Sequence, residues 1–381
     1  RELAYDRALC ASIVAENVPR MNDDQRKVYD ALRSDIDAEL AHRAAQTLLG
    51  LSPADDPLSS PRFRIRDGRR GRTHMMASIG GAGKTFVSAT LLAYVRSRGG
   101  IAIAVASSGV AALLLPGGTT AHSRFKIPPV DASPSTTCNF SWTGLNKSTA
   151  ELIAAAVFMI WDEATMQDRF LFETVHRSFC DVLGKGRDDF RPLPFGGKIM
   201  LLSGDFRQVL PVVSKGGEYQ IIPKVLNRSF LWPHVETHNL TVNERIRQEG
   251  VLANAELRAC IALDDAVNDK EAAIASAADR VNQAGAQATF AAYLLRLGNG
   301  TEEAVRDDHP GLRNLDPSTA AARVVQIPGH LVSRCRSRVA FVSEMYPDIE
   351  TKCLTASFPE WIASRTIVTP CNRDVDFINQ L

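Results

Sequence analysis

Apolar positions fall into two kinds of run along this chain. Short, nearly continuous runs occupy residues 74–78 (HMMAS), 101–107 (IAIAVAS), 157–161 (VFMIW), 198–202 (KIMLL) and 365–369 (RTIVT). Runs of this kind, separated by helical segments, predict strands buried on both faces of a parallel sheet, so the chain reads as α/β. Between them the spacing is helical. Residues 22–25 (NDDQ) form a helix start, a cap residue with Gln three positions on. Val28, Leu32, Ile36 and Leu40 then mark one apolar face. Residues 85–98 predict an amphipathic helix that stops at Gly99 and Gly100. Residues 1–20 read as helical, and residues 250–287, rich in Ala and charge, as a helical insertion. Residues 50–73 are loop-like, with six arginines between positions 62 and 72. That run suits either a nucleic-acid patch with an interleaved aromatic or a solvated insertion loop, the commoner origin of such runs.

The strand runs end in polar residues: Ser107 and Ser108, Asp162 and Glu163, Gly204 and Asp205. Open α/β sheets bind ligands at the carboxyl ends of their strands. One such end carries residues 78–85 (SIGGAGKT), a phosphate-binding loop between a strand and a helix. Gly80, Gly81 and Gly83, with Ala82 between them, allow backbone N–H groups to approach phosphates. Lys84 is placed for the β and γ phosphates, and the Thr85 hydroxyl for Mg²⁺. The helix start adds its partial positive charge. Ser78 stands where the usual pattern has its first glycine. Asp162 and Glu163 suit Mg²⁺-nucleotide hydrolysis, the first holding metal and the second polarising the attacking water. A charged strand end is the bland reading of that pair, and the phosphate loop argues against it. Gln208, beyond the next strand, is the candidate γ-phosphate sensor, with a simple turn as the alternative. Gln25 reads as a capping residue or as an adenine contact.

Composition narrows the class. The 381 residues suffice for two or three domains, and 45% hydrophobic with 23% charged residues are values of a soluble globular protein. A net charge of +1 provides no global attraction to nucleic acid, so any basic surface is local. Seven scattered cysteines without a C-x-x-C pair argue against a zinc site or disulfide framework and favour a reducing, intracellular setting. No apolar run approaches the ~20 residues of a membrane span. The chain begins at Arg1 rather than Met, which reads as a fragment.

Several blocks together are more specific than the loop. They are residues 22–29 (NDDQRKVY), 80–85, 107–128 (SSGVAALLLPGGTTAHSRFKIP), 161–166 (WDEATM) and 194–211 (PFGGKIMLLSGDFRQVLP). Residues 228–234 (RSFLWPH), 240–245 (LTVNER), 290–298 (FAAYLLRLG) and 367–379 (IVTPCNRDVDFIN) follow in order. With these blocks the chain resembles the Pif-one (petite integration frequency) DNA helicases, in particular the branch found in Helitron transposons. The resemblance implies a superfamily-one 5′→3′ DNA helicase with two RecA-like lobes, using ATP and Mg²⁺; the alternative is a truncated or degenerate transposon-derived remnant that binds ATP or DNA without turnover. It implies an N-terminal helical extension (1–20), a first lobe (21–245), a linker with helical insertion (246–360) and the start of a second lobe (361–381). Carried over by position, Gln25 contacts adenine. Gly80, Gly81, Ala82, Gly83, Lys84 and Thr85 hold phosphate; Thr85 and Asp162 hold the metal. Glu163 serves the water, Gln208 the γ-phosphate, and Arg245 acts as an arginine finger. Ser107, Ser108, Gly109, Thr120 and His122 lie along single-stranded DNA, with Arg124, Lys126 and the Phe125 ring supplying charge and stacking; for His122 and Phe125 the alternative is ordinary packing beneath a loop. Glu244 stands where the family usually has Met. Implied partners are single-stranded and forked or partly duplex DNA, with no membrane, no structural metal and a monomeric state. The implied setting is the nucleus or mitochondrion, in genome maintenance, telomere upkeep, repair and recombination.

Overall fold

The computed structural model describes residues 2–48, 65–66, 69–70, 72–129, 132–144, 146–184, 192–213, 216–262, 270–299, 301 and 337–352. Two compact units divide the chain, Arg1–Gly300 and Thr301–Leu381. In the second, the described residues form the helices Arg338–Met345 and Ile349–Lys352. The predicted strand at 365–369 and the predicted second lobe at 361–381 lie outside the described residues.

The first unit opens with α1 (Arg7–Asn17), capped by the Asp6 carboxylate, and α2 (Asp23–Leu48). The cap at Asn22 forms as its sequence predicts. Asn22 Oδ1 accepts from the Gln25 N–H at 2.9 Å, and Gln25 Oε1 accepts from the Asn22 N–H at 3.2 Å. Two residue pairs of the arginine-rich stretch, β1 (Ile65–Arg66) and β2 (Arg69–Arg70), form an antiparallel pair. The strand β3 (Arg72–Ser78) leads into the phosphate loop and α3 (Lys84–Ser97). Then come β4 (Ile101–Ala106), α4 (Gly109–Leu113), β5 (Thr119–Thr120) and α5 (Ala121–Phe125). Next are α6 (Lys147–Ala155), β6 (Ala156–Asp162), α7 (Arg169–Gly184) and β7 (Ile199–Gly204). The unit ends with α8 (Glu218–Ile221), β8 (Val235–Leu240), α9 (Glu244–Ile261) and α10 (Lys270–Gly298).

Six strands make one sheet in the order β5-β4-β6-β7-β3-β8, every pairing parallel. The apolar runs are continuous because alternate side chains go to opposite faces and both faces are covered. Met76, Ala102, Ala104, Phe158, Ile160 and Leu201 pack with Val28, Leu32 and Ile36 of α2 and Val87, Leu91 and Val95 of α3. Met75, Ile103, Val105, Met159, Trp161 and Met200 pack on the other face with Phe172, Val175 and Phe179 of α7. This is the parallel α/β class expected. Two strands were not: β5 is only two residues long, and β8 buries only its two ends.

Arg72 departs from both readings of the arginine-rich run. It is buried, its guanidinium 2.7 Å from the Glu39 carboxylate and donating to the Gly197 carbonyl. The run's other five arginines have no described side-chain surroundings. No described helix is long and apolar enough to cross a membrane.

Candidate active site

The phosphate loop takes its shape from two glycines in left-handed backbone conformations, Gly81 (φ 77°) and Gly83 (φ 87°). A Cβ on Gly81 would lie 2.6 Å from Asn243 Oδ1, and one on Gly83 would lie 2.5 Å from Gln25 Nε2. Both positions therefore need glycine for conformation and for space. Ser78 needs neither. It is the last residue of β3, paired with Leu240, and its φ is not positive. The missing first glycine is thus absorbed by ordinary strand geometry, with Ser78 buried and its hydroxyl unpartnered among the described residues.

Around the loop lies a cleft of about 610 Å³ lined by Gly80, Gly81, Ala82, Gly83, Lys84 and Thr85. Gln25, Glu163, Gln208 and Arg245 also line it, drawn from α2 and from three strand ends. Lys84 Nζ stands 3.4 Å from Glu163 Oε1. Glu163 itself is left-handed (φ 51°, ψ 40°), a conformation unfavourable for a side-chain-bearing residue. It turns the chain out of β6 so that the carboxylate faces the loop. The other oxygen, Oε2, is buried with no hydrogen-bond partner among the described residues. Asp162 is buried; its Oδ1 accepts from the Glu163 N–H and the Ser203 hydroxyl. Thr85, Asp162 and Glu163 are hard oxygen donors of the kind Mg²⁺ takes, and the unsatisfied Oε2 fits such a demand.

Gln25 has both of its proposed sequence roles available. Its backbone N–H and side-chain Oε1 both belong to the α2 cap, while Nε2 of the buried amide donates to the Ala82 carbonyl at 2.9 Å and the side chain lines the cleft. Gln208 is exposed at the turn after β7, its N–H donating to Asp205 O at 3.1 Å. The Arg245 N–H donates to the Gly81 carbonyl at 3.2 Å, which fixes the start of α9 against the loop; its side chain is exposed.

The sequence reading did not anticipate Glu244. Its carboxylate accepts from Asn22 Nδ2 at 2.5 Å and from Arg247 Nε at 2.8 Å. Desolvation pushes its pKa up, but these hydrogen bonds and the Arg247 charge outweigh it and hold the carboxyl below its ordinary value. A methionine there could make neither bond, so this chain joins the α2 cap to α9 by polar contacts. Phe86, Arg20 and Gln248 also line the cleft and were not singled out. The Arg20 guanidinium lies 5.9 Å from the centre of the Phe86 ring.

The residues assigned to single-stranded DNA meet at the other end of the sheet. Pairing of Ala106 with Thr120 brings residues 107–109 beside 120–122. Ser108 Oγ caps α4 by accepting from the Ala111 N–H, and Thr120 Oγ1 caps α5 by accepting from the Ser123 N–H. Gly109 and His122 are exposed. Arg124 is half-buried, bonded to Thr119 Oγ1 and 3.5 Å from the Glu2 carboxylate. Ser107 Oγ donates to the Glu163 carbonyl at 2.6 Å and accepts from Trp161 Nε1 at 3.2 Å, so it touches both segments. Phe125 requires a correction. It is fully buried, its ring 5.8 Å from that of Trp161 and 5.3 Å from that of Phe179, and it offers no face for a base. The aromatic belongs to the core beneath the segment, where α5 anchors to the sheet.

Comparison with known proteins bears on all of this. The profile of the family described as PIF1-like helicase matches residues 67–269, more than half of the chain. The chain belongs to the PIF1-like helicase family. The matched region holds the loop, Asp162, Glu163, Gln208 and Arg245, while Gln25 precedes it. The ATP-dependent DNA helicase PIF4 of Trypanosoma brucei brucei is 28% identical over 131 residues, 34% of this chain and 15% of that protein. The crystal structure of Pif1 helicase from Candida albicans is 20% identical with a TM-score of 0.39, covering 62% of this chain and 44% of that one. The crystal structure of Bacteroides sp Pif1 in complex with ADP-AlF4 is 20% identical with a TM-score of 0.40, covering 65% and 47%. The chain thus spans 15% of the length of the trypanosome relative and less than half of either solved chain.

Proposed function

We propose that the chain is the ATP-hydrolysing lobe of a 5′→3′ DNA helicase, coupling Mg-ATP hydrolysis to movement along single-stranded DNA and the opening of forked duplexes. The observation that carries the reading is the meeting of Lys84, Glu163, Gln208 and Arg245 in one cleft around the loop. In this proposal the loop N–H groups grip the phosphates, and Lys84 neutralises the β and γ oxygens. Glu163 takes the proton of the attacking water, and Gln208 holds that water near the γ-phosphate. Arg245 stabilises the charge that develops in transfer, an effect worth roughly 10³–10⁵ in rate in phosphate-loop enzymes. Thr85 and Asp162 would hold Mg²⁺, which when bound would supply Lewis-acid charge to the phosphates. Ser107 gives the DNA segment a direct bond to the backbone of the catalytic carboxylate, a short route by which strand occupancy reaches hydrolysis. Service in genome maintenance, repair and recombination belongs to the same proposal.

The test is ATP hydrolysis with and without single-stranded DNA, on these 381 residues and on a version extended C-terminally through a second lobe. Turnover stimulated by DNA in the extended form supports the reading, with the shorter chain binding Mg-ATP and unwinding nothing alone. An extended form that binds ATP and never hydrolyses it assigns the chain a binding role instead.

A further inference from the structure

On the face of the sheet covered by α2, away from the phosphate loop, four ionisable side chains form a line. The parallel register sets His74 of β3 beside Glu236 of β8, and His238, two residues on, shares that face. His74 Nδ1 lies 3.1 Å from His238 Nε2. His238 Nε2 lies 3.8 Å from Glu236 Oε1. On its far side, His74 Nε2 lies 3.0 Å from Asp35 Oδ2 of α2. His74 is fully buried, whereas Glu236 and His238 are partly open at the edge strand. One ligand atom from each of His74, Glu236 and His238 falls within 4.8 Å of the others.

The arrangement has a specific electronic consequence. Asp35 accepts a hydrogen bond from the His74 Nε2–H, which leaves a lone pair on Nδ1 of the neutral ring. That lone pair faces a second ring nitrogen at hydrogen-bond distance, so a proton or a metal must stand between them. Two nitrogens bound to one zinc at about 2.0–2.1 Å sit roughly 3.3 Å apart in tetrahedral geometry. The observed 3.1 Å is close to that separation, and the nearly parallel rings, 5.4 Å between centres and 18° between planes, point at one another and would have to turn to converge on one ion. A carboxylate on the outer nitrogen of a ligating histidine is the usual way such a ring is oriented and made more basic.

We propose that His74, His238 and Glu236 bind a divalent transition-metal ion, zinc by preference, with Asp35 orienting His74 and solvent completing the coordination from the sheet edge. Imidazole nitrogen with a carboxylate suits zinc over magnesium or calcium. The ion takes the place of the proton between the rings: a neutral His238 moves its single proton from Nε2 to Nδ1, and a protonated His238 keeps the Nδ1 proton and releases the other to solvent. The glutamate and aspartate together balance the ion's two positive charges. The site ties α2, β3 and β8 together, the elements that lead to Gln25, the phosphate loop and Arg245. Cysteine spacing pointed away from zinc, but the histidines are 164 residues apart and only the β3–β8 pairing brings them together. This site is independent of whether the chain hydrolyses ATP.

The test titrates the chelator-treated 381-residue chain with Co²⁺ and then Zn²⁺. One equivalent of Co²⁺ with visible bands of tetrahedral nitrogen and oxygen ligation, displaced by Zn²⁺, is expected. Zn²⁺ at about a hundredfold over its Kd should raise the melting temperature by roughly 5 °C. Since His74→Ala empties a buried site and can unfold the chain, His238→Gln carries the test: it should keep the circular dichroism spectrum and lose the Co²⁺ bands. Asp35→Asn should weaken binding by about 10–100-fold. No stoichiometric uptake by the unaltered chain, uptake unchanged in His238→Gln, or the charge-transfer band of a thiolate ligand would each overturn the proposal; the first would leave a proton between the rings.

Discussion

The polar edge of the sheet is built in two ways. After β3 the chain turns on left-handed Gly81 and Gly83, and after β6 it accepts what a stable fold would avoid: Glu163 left-handed without being glycine, its Oε2 buried with no hydrogen-bond partner among the described residues. At β4 and β5 the small polar residues are comfortable. Ser108 and Thr120 cap helices, and the nearby aromatic lies in the core. Strain without a structural return is what sets the first region apart as the candidate active site. The second region looks the same whether it serves DNA or only its own helices, so its function has to be separated from its stability by experiment.

Glu163→Gln should separate them most sharply. In a form that turns over ATP, it should lower hydrolysis by about 10²–10⁴-fold while nucleotide binding persists, measured by steady-state turnover and a fluorescent-nucleotide titration. Unchanged turnover would remove Glu163 from its role. Phe125→Ala should act wholly on the fold, costing about 3–5 kcal/mol in urea denaturation through loss of a fully buried ring. Preserved stability with lost single-strand affinity would reverse the correction made above. Gly83→Ala places a Cβ against Gln25 in a left-handed conformation, and about 1–3 kcal/mol of strain is expected, with nucleotide affinity falling while the α/β circular dichroism signal remains. Ser108→Ala and Thr120→Ala should each cost about 1 kcal/mol as lost caps. A fall in DNA affinity larger than that would show that the hydroxyls have a second use.

The smallest expected effect concerns Glu244. Its carboxyl is held below the ordinary value of 4.5, so the charged form favours the folded state. That contribution is fully present above pH 4.5 and is lost as pH falls through the lowered folded value. Glu244→Gln should flatten the acid side of the stability profile while leaving the neutral side nearly unchanged.

The central strands and the phosphate loop were legible because each depends on local pattern: continuous apolar residues for β4, β6 and β7, glycine spacing for the loop. The edge was harder to read. In β8 the sequence VETHNL buries only Val235 and Leu240, and the helix α2 rather than a continuous apolar run defines its inner face. Asn22 and Glu244 lie 222 residues apart, so no window of sequence could show their bond. Phe125 was misplaced for the opposite reason. The block around it resembles a DNA-binding segment over so many residues that the resemblance outweighs the plain alternative of packing, which is its actual role, anchoring α5 between Trp161 and Phe179.

The backbone at Glu163 has a further consequence for how this lineage can change. Glycine is the residue that accepts that turn without strain, and variants sorted only for foldedness would be expected to drift toward it. Holding an acid there is a standing cost in stability of roughly 1–3 kcal/mol. Copies released from the need to hydrolyse nucleotide should lose this carboxylate before they lose the sheet, so position 163 records whether a given copy is still under selection for work.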